Sequence, residues 1–157
     1  MSNATRATQA LDRAGVTYEL RRYDYDPSAD RIGLQAAESL GEPASIVLKT
    51  LMAEVDGKAV CVVVPSDAEV SMKRLAAAFA GKAAKMMKPD VAERLTGYHV
   101  GGISPFGQKR VVPTAVEAAA LAHPHVYVNG GQRGLQIRLA PADLVRALLA
   151  RTAPVVA

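Results

Sequence analysis

IVLKTLMAEVDGKAVCVVV, residues 46–64, is the stretch on which the fold turns. Two runs of β-branched and apolar residues flank Asp56 and Gly57, and a type I′ turn needs two central residues that tolerate positive φ. The stretch therefore predicts an antiparallel hairpin with strands over residues 46–55 and 58–64. Within the first strand, alternation puts Lys49 on the side of Val47 and Leu51, with Thr50 on the opposite face unless the strand is bulged. A cation in an apolar strand either snorkels to an edge or faces a polar pocket, because an unpaired buried ammonium costs several kcal/mol.

Outward from the hairpin, other elements follow from pattern. Ser2 or Asn3 is the expected cap of a first helix through Ala10 and Leu11, stopped at Gly15. Val16, Tyr18 and Leu20 alternate with Thr17, Glu19 and Arg21, predicting a half-buried strand that ends near Tyr23. DYDPSADRIG reads as a loop, and Leu34, Ala37 and Leu40 recur at helical spacing before Gly41. Downstream, Ser71 caps MKRLAAAFA before Gly81, Pro89 opens a short helix ending at Gly97, and two strands flank NGGQRG at residues 129–134, with Ile137 and Leu139 facing one way. Pro141 opens a final amphipathic helix through Leu144, Leu148 and Arg151, and the tail TAPVVA is expected to fray. Hairpins exclude a purely parallel doubly wound sheet, so the expected fold is α+β: a mixed, strongly curved central sheet flanked by helices.

Length and composition agree with one domain over residues 1–157 and an ample core. The net charge of +4 and pI near 9.4 permit contact with a polyanion without requiring it. Cys61 stands alone, which excludes an intrachain disulfide, and no apolar run is long enough to span a bilayer. Membrane function is not expected, and the cytoplasm is the expected compartment.

Chemistry concentrates in two glycine-rich loops. GYHVGGISPFGQKR, residues 97–110, is nearly acid-free and closes on Lys109 and Arg110, and NGGQRG follows the run Val126, Tyr127, Val128. Such loops serve plain turns, or let a ligand approach the main chain; with adjacent cations the second reading suggests an anionic, nucleotide-sized ligand. Nucleophile elbow, Walker loop, dinucleotide fingerprint and zinc-helix motifs are all missing. His123 and His125 lack a third ligand in an evident motif and His99 is ambiguous, so no metal is expected. Cys61 alternates within the second hairpin strand as a core residue. Lys73, Arg74, Lys82, Lys85 and Lys88 form either a basic surface for phosphates or ordinary solvated charge.

With Lys49-Thr50 in an apolar strand, GYHVGGISPFGQK downstream and then VNGGQRG, nearly the whole chain resembles the YbaK family of freestanding aminoacyl-tRNA deacylases, relatives of the editing domain in bacterial prolyl-tRNA synthetases. The resemblance implies an editor that removes a misattached amino acid, foremost cysteine from tRNA(Pro), since a pocket cannot strongly reject a competitor of similar volume. It implies a mischarged aminoacyl-tRNA as substrate, prolyl-tRNA synthetase as a candidate partner, and no cofactor. Lys49 is the family's hallmark functional residue; Gly101 and Gly102 join it as catalytic candidates. Tyr23, Ile32, Thr50, Ile103, Ser104, Asn129, Gly130 and Gln136 are the substrate-binding candidates. Relatives often carry a small hydroxyl residue and an acid where this chain has Asn129 and Gln136, and an aromatic where it has Ile32.

The same resemblance makes the missing nucleophile intelligible: the sulfur of the substrate cysteine attacks its own ester carbonyl, an intramolecular step partly offset by strain in the four-membered thiolactone. Main-chain amides around Gly101 and Gly102 are the expected oxyanion donors, and Lys49 either holds the terminal phosphate or polarises the ester. Two alternatives stay open: a noncatalytic adaptor binding tRNA or synthetase, and a deacylase for alanyl- or seryl-tRNA.

Overall fold

The computed structural model describes residues 4–28 and 32–157, with the side chain of Ile32 left outside the description. The hairpin forms as expected: β2 (Leu48–Val55) and β3 (Lys58–Pro65) pair antiparallel from Leu48 opposite Pro65 to Val55 opposite Lys58. Asp56 and Gly57 have φ of 50° and 80°, the two positive values of a type I′ turn. The Asp56 carboxylate also accepts from the Lys82 and Ala83 N–H groups at 3.0–3.1 Å, tying the turn to the chain beyond the next helix.

The hairpin is the centre of a five-stranded sheet in the order β4-β2-β3-β5-β8. Here β4 is Ala84–Met86, β5 is Thr114–Glu117 and β8 is Arg151–Ala153; β5 runs parallel to both β3 and β8. Both faces of β3 are covered, which is why CVVV does not alternate with polar residues. Cys61 and Val63 join a core with Leu11, Tyr127, Ile137 and Leu144, while Val60, Val62 and Val64 pack with Leu75 and Val155 on the other face.

A second, antiparallel sheet has the order β1-β7-β6, with β1 at Glu19–Arg22, β6 at Val126–Asn129 and β7 at Leu135–Leu139. It meets the first where Val47 bridges Tyr127 in parallel and the Tyr127 N–H donates to the Ile46 carbonyl at 2.8 Å. The expected mixed strand pairing is thus present, divided between two sheets that this isolated bridge joins.

Five α-helices surround the sheets among the described residues: α1 (Arg6–Arg13), α2 (Ile32–Leu40), α3 (Met72–Ala78), α4 (Pro89–Thr96) and α5 (Pro141–Leu148). The Ser71 cap of α3 and the Pro89 and Gly97 ends of α4 are where the sequence puts them. The cap of α1 is a correction. Ser2 and Asn3 lie outside the described residues, and Thr5 starts the helix by exchanging hydrogen bonds with Thr8 in a capping box. Helix α3 stops before Gly81 because Ala80 already turns left-handed at φ 54°, and α5 stops at Leu149, φ 52°, so that Arg151 begins a strand. None of the described helices is long and apolar enough to cross a membrane.

The tail is the clearest departure, for it does not fray. After β8, Val155 is fully buried, Val156 bridges Val70, and the Ala157 N–H donates to the Glu69 carbonyl at 2.8 Å. The organiser is Glu117, only 4% exposed, whose carboxylate accepts from Val155 N–H (2.9 Å), Val156 N–H (3.2 Å) and Ala119 N–H (3.0 Å). A buried carboxylate satisfied by three amides is favourable, and removing it strands those donors, at about 1–3 kcal/mol for each one left unpaired. Glu117→Ala is therefore expected to lower the unfolding free energy by about 3 kcal/mol in urea titration, and to expose residues 151–157 to limited proteolysis while the hairpin stays protected.

Candidate active site

Strand β4 pairs with β2 only at residues 53–55, and its last contact is the Met87 N–H donating to the Met52 carbonyl at 3.1 Å. On the same side, the Ile46 carbonyl is taken by Tyr127. Backbone groups of an antiparallel strand point to alternate edges, so Leu48 and Thr50, which share parity with Ile46 and Met52, face the edge that β4 leaves open; the parallel bridge of Val47 with Tyr127 takes up the Leu48 N–H, and the Leu48 C=O and both groups of Thr50 stay unpaired by a strand. A cavity of about 430 Å³ occupies this edge. It is bounded by Val47 and residues 48–52 of β2, by Tyr23 just after β1, by Asn129 and Gln136 from the small sheet, by Val100, Gly101 and Ile103, and at its mouth by Met86, Met87 and Pro89.

Lys49 and Thr50 both border the cavity although they are consecutive, which the face-alternation reading did not anticipate. The cavity wraps a strand edge rather than facing one side of a sheet, so neighbours from both faces reach it. Three polar atoms around it are buried without a hydrogen-bond partner among the described residues: Tyr23 Oη, Thr50 Oγ1 and Gln136 Oε1. Each costs about 1–3 kcal/mol when unpaired, which a ligand's donors and acceptors would offset. Burial pushes the Tyr23 phenol above its ordinary pKa; Gly134 and Gln136 lie close enough to moderate the shift but do not meet hydrogen-bond geometry, and Tyr25 adds to it. The phenol is thus protonated at neutral pH and able to donate.

Asn129 is a bracket between the two glycine loops. Its Nδ2 donates to the Gly101 carbonyl at 3.1 Å and its Oδ1 accepts from the Gly131 N–H at 2.7 Å. Gly101 has φ 90°, and a Cβ there would fall 2.7 Å from Tyr25 Oη, so only glycine lets the loop close over the cavity.

Several candidates sit elsewhere. Gly102 is buried against residues 132 and 133, where a Cβ would lie 2.9 Å from the Arg133 nitrogen, and its N–H is spent on the His99 carbonyl at 2.8 Å. It cannot donate to an oxyanion, which corrects the expectation placed on it. Ser104 is fully buried, its Oγ accepting from the Phe106 N–H at 3.2 Å, and it does not border the cavity. Gly130 packs on Leu135 and accepts from Thr5 Oγ1 at 2.6 Å, joining the loop to α1. Ile32 bears no comparison because its side chain is outside the described residues. Sequence reading missed the open edge at Thr50 and the Met86-Met87 mouth; the brevity of β4, cut off by Pro89, is the signal that would have found both.

Cys61 is completely buried and its thiol is pushed up to about 12 by desolvation, which contacts from Gln108 and Thr114 only partly counter. His125 is engaged by Arg138 at 3.1 Å and by Glu42 at 3.7 Å, and no group of three metal-type ligands occurs among the described residues.

The fold is α+β, and its cavity at a strand edge is bordered by a strand-borne lysine and a glycine loop, with no histidine or carboxylate of a catalytic triad among the described lining residues. The sequence profile of the aminoacyl-tRNA editing domain matches residues 26–147, and the chain belongs to that family. It is an aminoacyl-tRNA deacylase. A protein of Enterococcus faecalis provisionally named the Cys-tRNA(Pro)/Cys-tRNA(Cys) deacylase EbsC is 35% identical over 144 residues, 90% of this chain and 86% of its own. The uncharacterised Bacillus subtilis protein YwhH is 30% identical over 111 residues, 70% of each chain. A crystal structure provisionally described as a trans-editing enzyme for prolyl tRNA synthetase matches with a TM-score of 0.86 over 100% of this chain and 98% of that one, at 22% identity, a likeness of fold.

The buried thiol makes one outcome definite. With its pKa near 12, Cys61 carries about one thiolate in ten thousand at pH 8, so a disulfide reagent is expected to leave the native protein unlabelled and to titrate one thiol after denaturation.

Proposed function

We propose that the chain works as one trans-editing domain that releases cysteine from Cys-tRNA(Pro), the substrate's own thiol attacking its ester carbonyl. The observation that carries this reading is a cavity bordered by Lys49 and three unpartnered polar atoms in which no histidine or carboxylate among the described residues stands ready to activate a protein nucleophile: of its hydroxyls, Ser66 Oγ is tied to the Val47 carbonyl and Thr50 Oγ1 has no general base of either kind beside it, while Cys61 and Ser104 are buried elsewhere. In the step, the sulfur–carbon bond forms as the thiol proton leaves, the bond to the tRNA 3′ oxygen breaks, and that oxygen takes up a proton. The cavity holds sulfur and carbonyl in contact, which replaces a bimolecular encounter by an intramolecular one.

Oxyanion stabilisation falls to the amides that are still unspent: Thr50 on the open edge of β2, and Gly101, whose N–H has no acceptor among the described residues. Tyr23, Thr50 and Gln136 meet the polar groups of the acyl-adenosine end. Gln136, neutral where relatives often carry an acid, does so without adding charge. Lys49 supplies positive charge for the anionic nucleotide and for the departing 3′ oxygen. The adaptor reading drew its motive from Asn129 and Gln136; Asn129 bracketing the loops over the cavity weakens that motive, because it serves the geometry a catalytic pocket needs. Prolyl-tRNA synthetase is the proposed source of tRNA selection where the domain's own basicity is insufficient.

Purified protein is expected to deacylate Cys-tRNA(Pro) with multiple turnovers, and Lys49→Ala to lower kcat/KM about 100-fold, in the range of a lost electrostatic stabiliser. Full activity of that variant would reject the role given to Lys49, and binding without turnover would restore the adaptor. Seryl-tRNA(Pro), which replaces thiol by hydroxyl, is expected to lose most of the rate; equal rates would point to attack by water.

A further inference from the structure

Behind the glycine loop lies a second cavity of about 500 Å³ that the deacylase step does not use. It is bounded by α1, by the chain from residue 105 to 112, and by the end of α5. Arg6, Gln9, Ala10 and Arg13 reach it together because i, i+3, i+4 and i+7 share one helix face. Its charge is of one sign. Arg6, Arg13 and Lys109 border it, no acidic residue does, and none of the three has a carboxylate at ion-pair distance among the described residues.

The fold holds these cations together. Gly107, at φ 66°, brings the loop backbone onto the Arg6–Ala7 peptide, and the Lys109 and Arg110 N–H groups donate to the Thr96 and Leu95 carbonyls at 2.8 and 3.2 Å. Arg6 and Lys109 both pack on Gly97, where a Cβ would overlap the Arg6 guanidinium and lie 3.4 Å from Lys109 Cβ. Like charges gathered without an acid between them raise the free energy of the site, and a bound anion offsets this. The floor is apolar, with Phe106 and Val112 buried and Leu148 beside them. Guanidinium forks match phosphate oxygens, and an apolar floor suits the face of a base or sugar, so the ligand class is a nucleotide.

We propose that this cavity binds a phosphate-bearing nucleotide of the substrate tRNA, away from its aminoacylated end; the source of the nucleotide rests on the deacylase reading. One loop separates the two cavities: Ile103 borders the first, residues 105–109 border the second, and Gln108 Nε2 reaches Met52 Sδ, a wall of the first, at 3.6 Å. A polynucleotide whose end enters one cavity brings a phosphate at every nucleotide toward the other.

Binding of uncharged tRNA, followed by fluorescence anisotropy across a salt series, tests this with Arg13→Ala, Lys109→Ala and the double variant, each checked for an unchanged melting profile. Each single variant is expected to weaken binding several-fold and to lower the salt slope by about one, with Arg13→Lys restoring the slope. KM for Cys-tRNA(Pro) rises in step, while turnover of cysteinyl-adenosine, too short to span both cavities, stays at the wild-type value. Wild-type binding and deacylation with unaltered affinity and slope in the double variant would overturn the site and leave the deacylase reading standing. A wild type that neither binds nor deacylates tRNA would instead overturn that reading, and this source with it. Tight binding of AMP that Arg13→Ala abolishes, with tRNA affinity unchanged, would reassign the site to a free nucleotide and overturn the tRNA proposal.

Discussion

Between residues 48 and 52, strand β2 has a hydrogen-bonded neighbour strand on one side only, and the candidate pocket exists because of that gap. Tyr127 closes the edge from Ile46 to the Leu48 N–H, and Met87 closes it at Met52. Strand β4 cannot extend across the gap, since Pro89 begins α4 directly after Met87 and Lys88 and has no N–H to continue a ladder. An exposed strand edge is normally a liability. Here it is folded inward, under the loop at Gly101, so its unpaired backbone groups face a cavity rather than another chain.

The glycine loops are built for that closure more than for ligand contact. Gly102, Gly107 and Gly130 each sit where a Cβ would strike the protein itself, against residue 133, residue 6 and Leu135 respectively. Their permissiveness lets loop pack on loop and loop on helix. Asn129 then locks the two loops together, leaving the Gly101 amide among the groups unspent at the cavity. Glu117 does the corresponding work on the far face, where one buried carboxylate holds the C-terminal tail against the sheet.

Local patterns made a good part of this legible. Asp56-Gly57 specified its turn because both residues tolerate positive φ, and Ser71, Pro89 and Gly97 marked helix ends because capping chemistry is local. Lys49 stood out because a cation in an apolar strand needs an explanation, and it does border the cavity. The errors came where a residue's role depends on distant partners. TAPVVA looked like a loose end, since nothing local reveals that Glu117, more than thirty residues away, awaits its amides. Gly102 looked like an oxyanion donor, since its turn back to His99 is invisible in composition.

The amino-acid order by itself determined the hairpin, most helix limits, the mixed character of the fold and the presence of a lysine and glycine loops that belong together, because steric preference, capping and hydrophobic alternation act within a few residues. Tertiary structure alone decided which edge of β2 stays open, which amides remain unspent and which cations crowd behind the loop. Those are matters of hydrogen-bond bookkeeping and charge proximity between segments far apart in the chain, and no local pattern encodes how such partners are shared out.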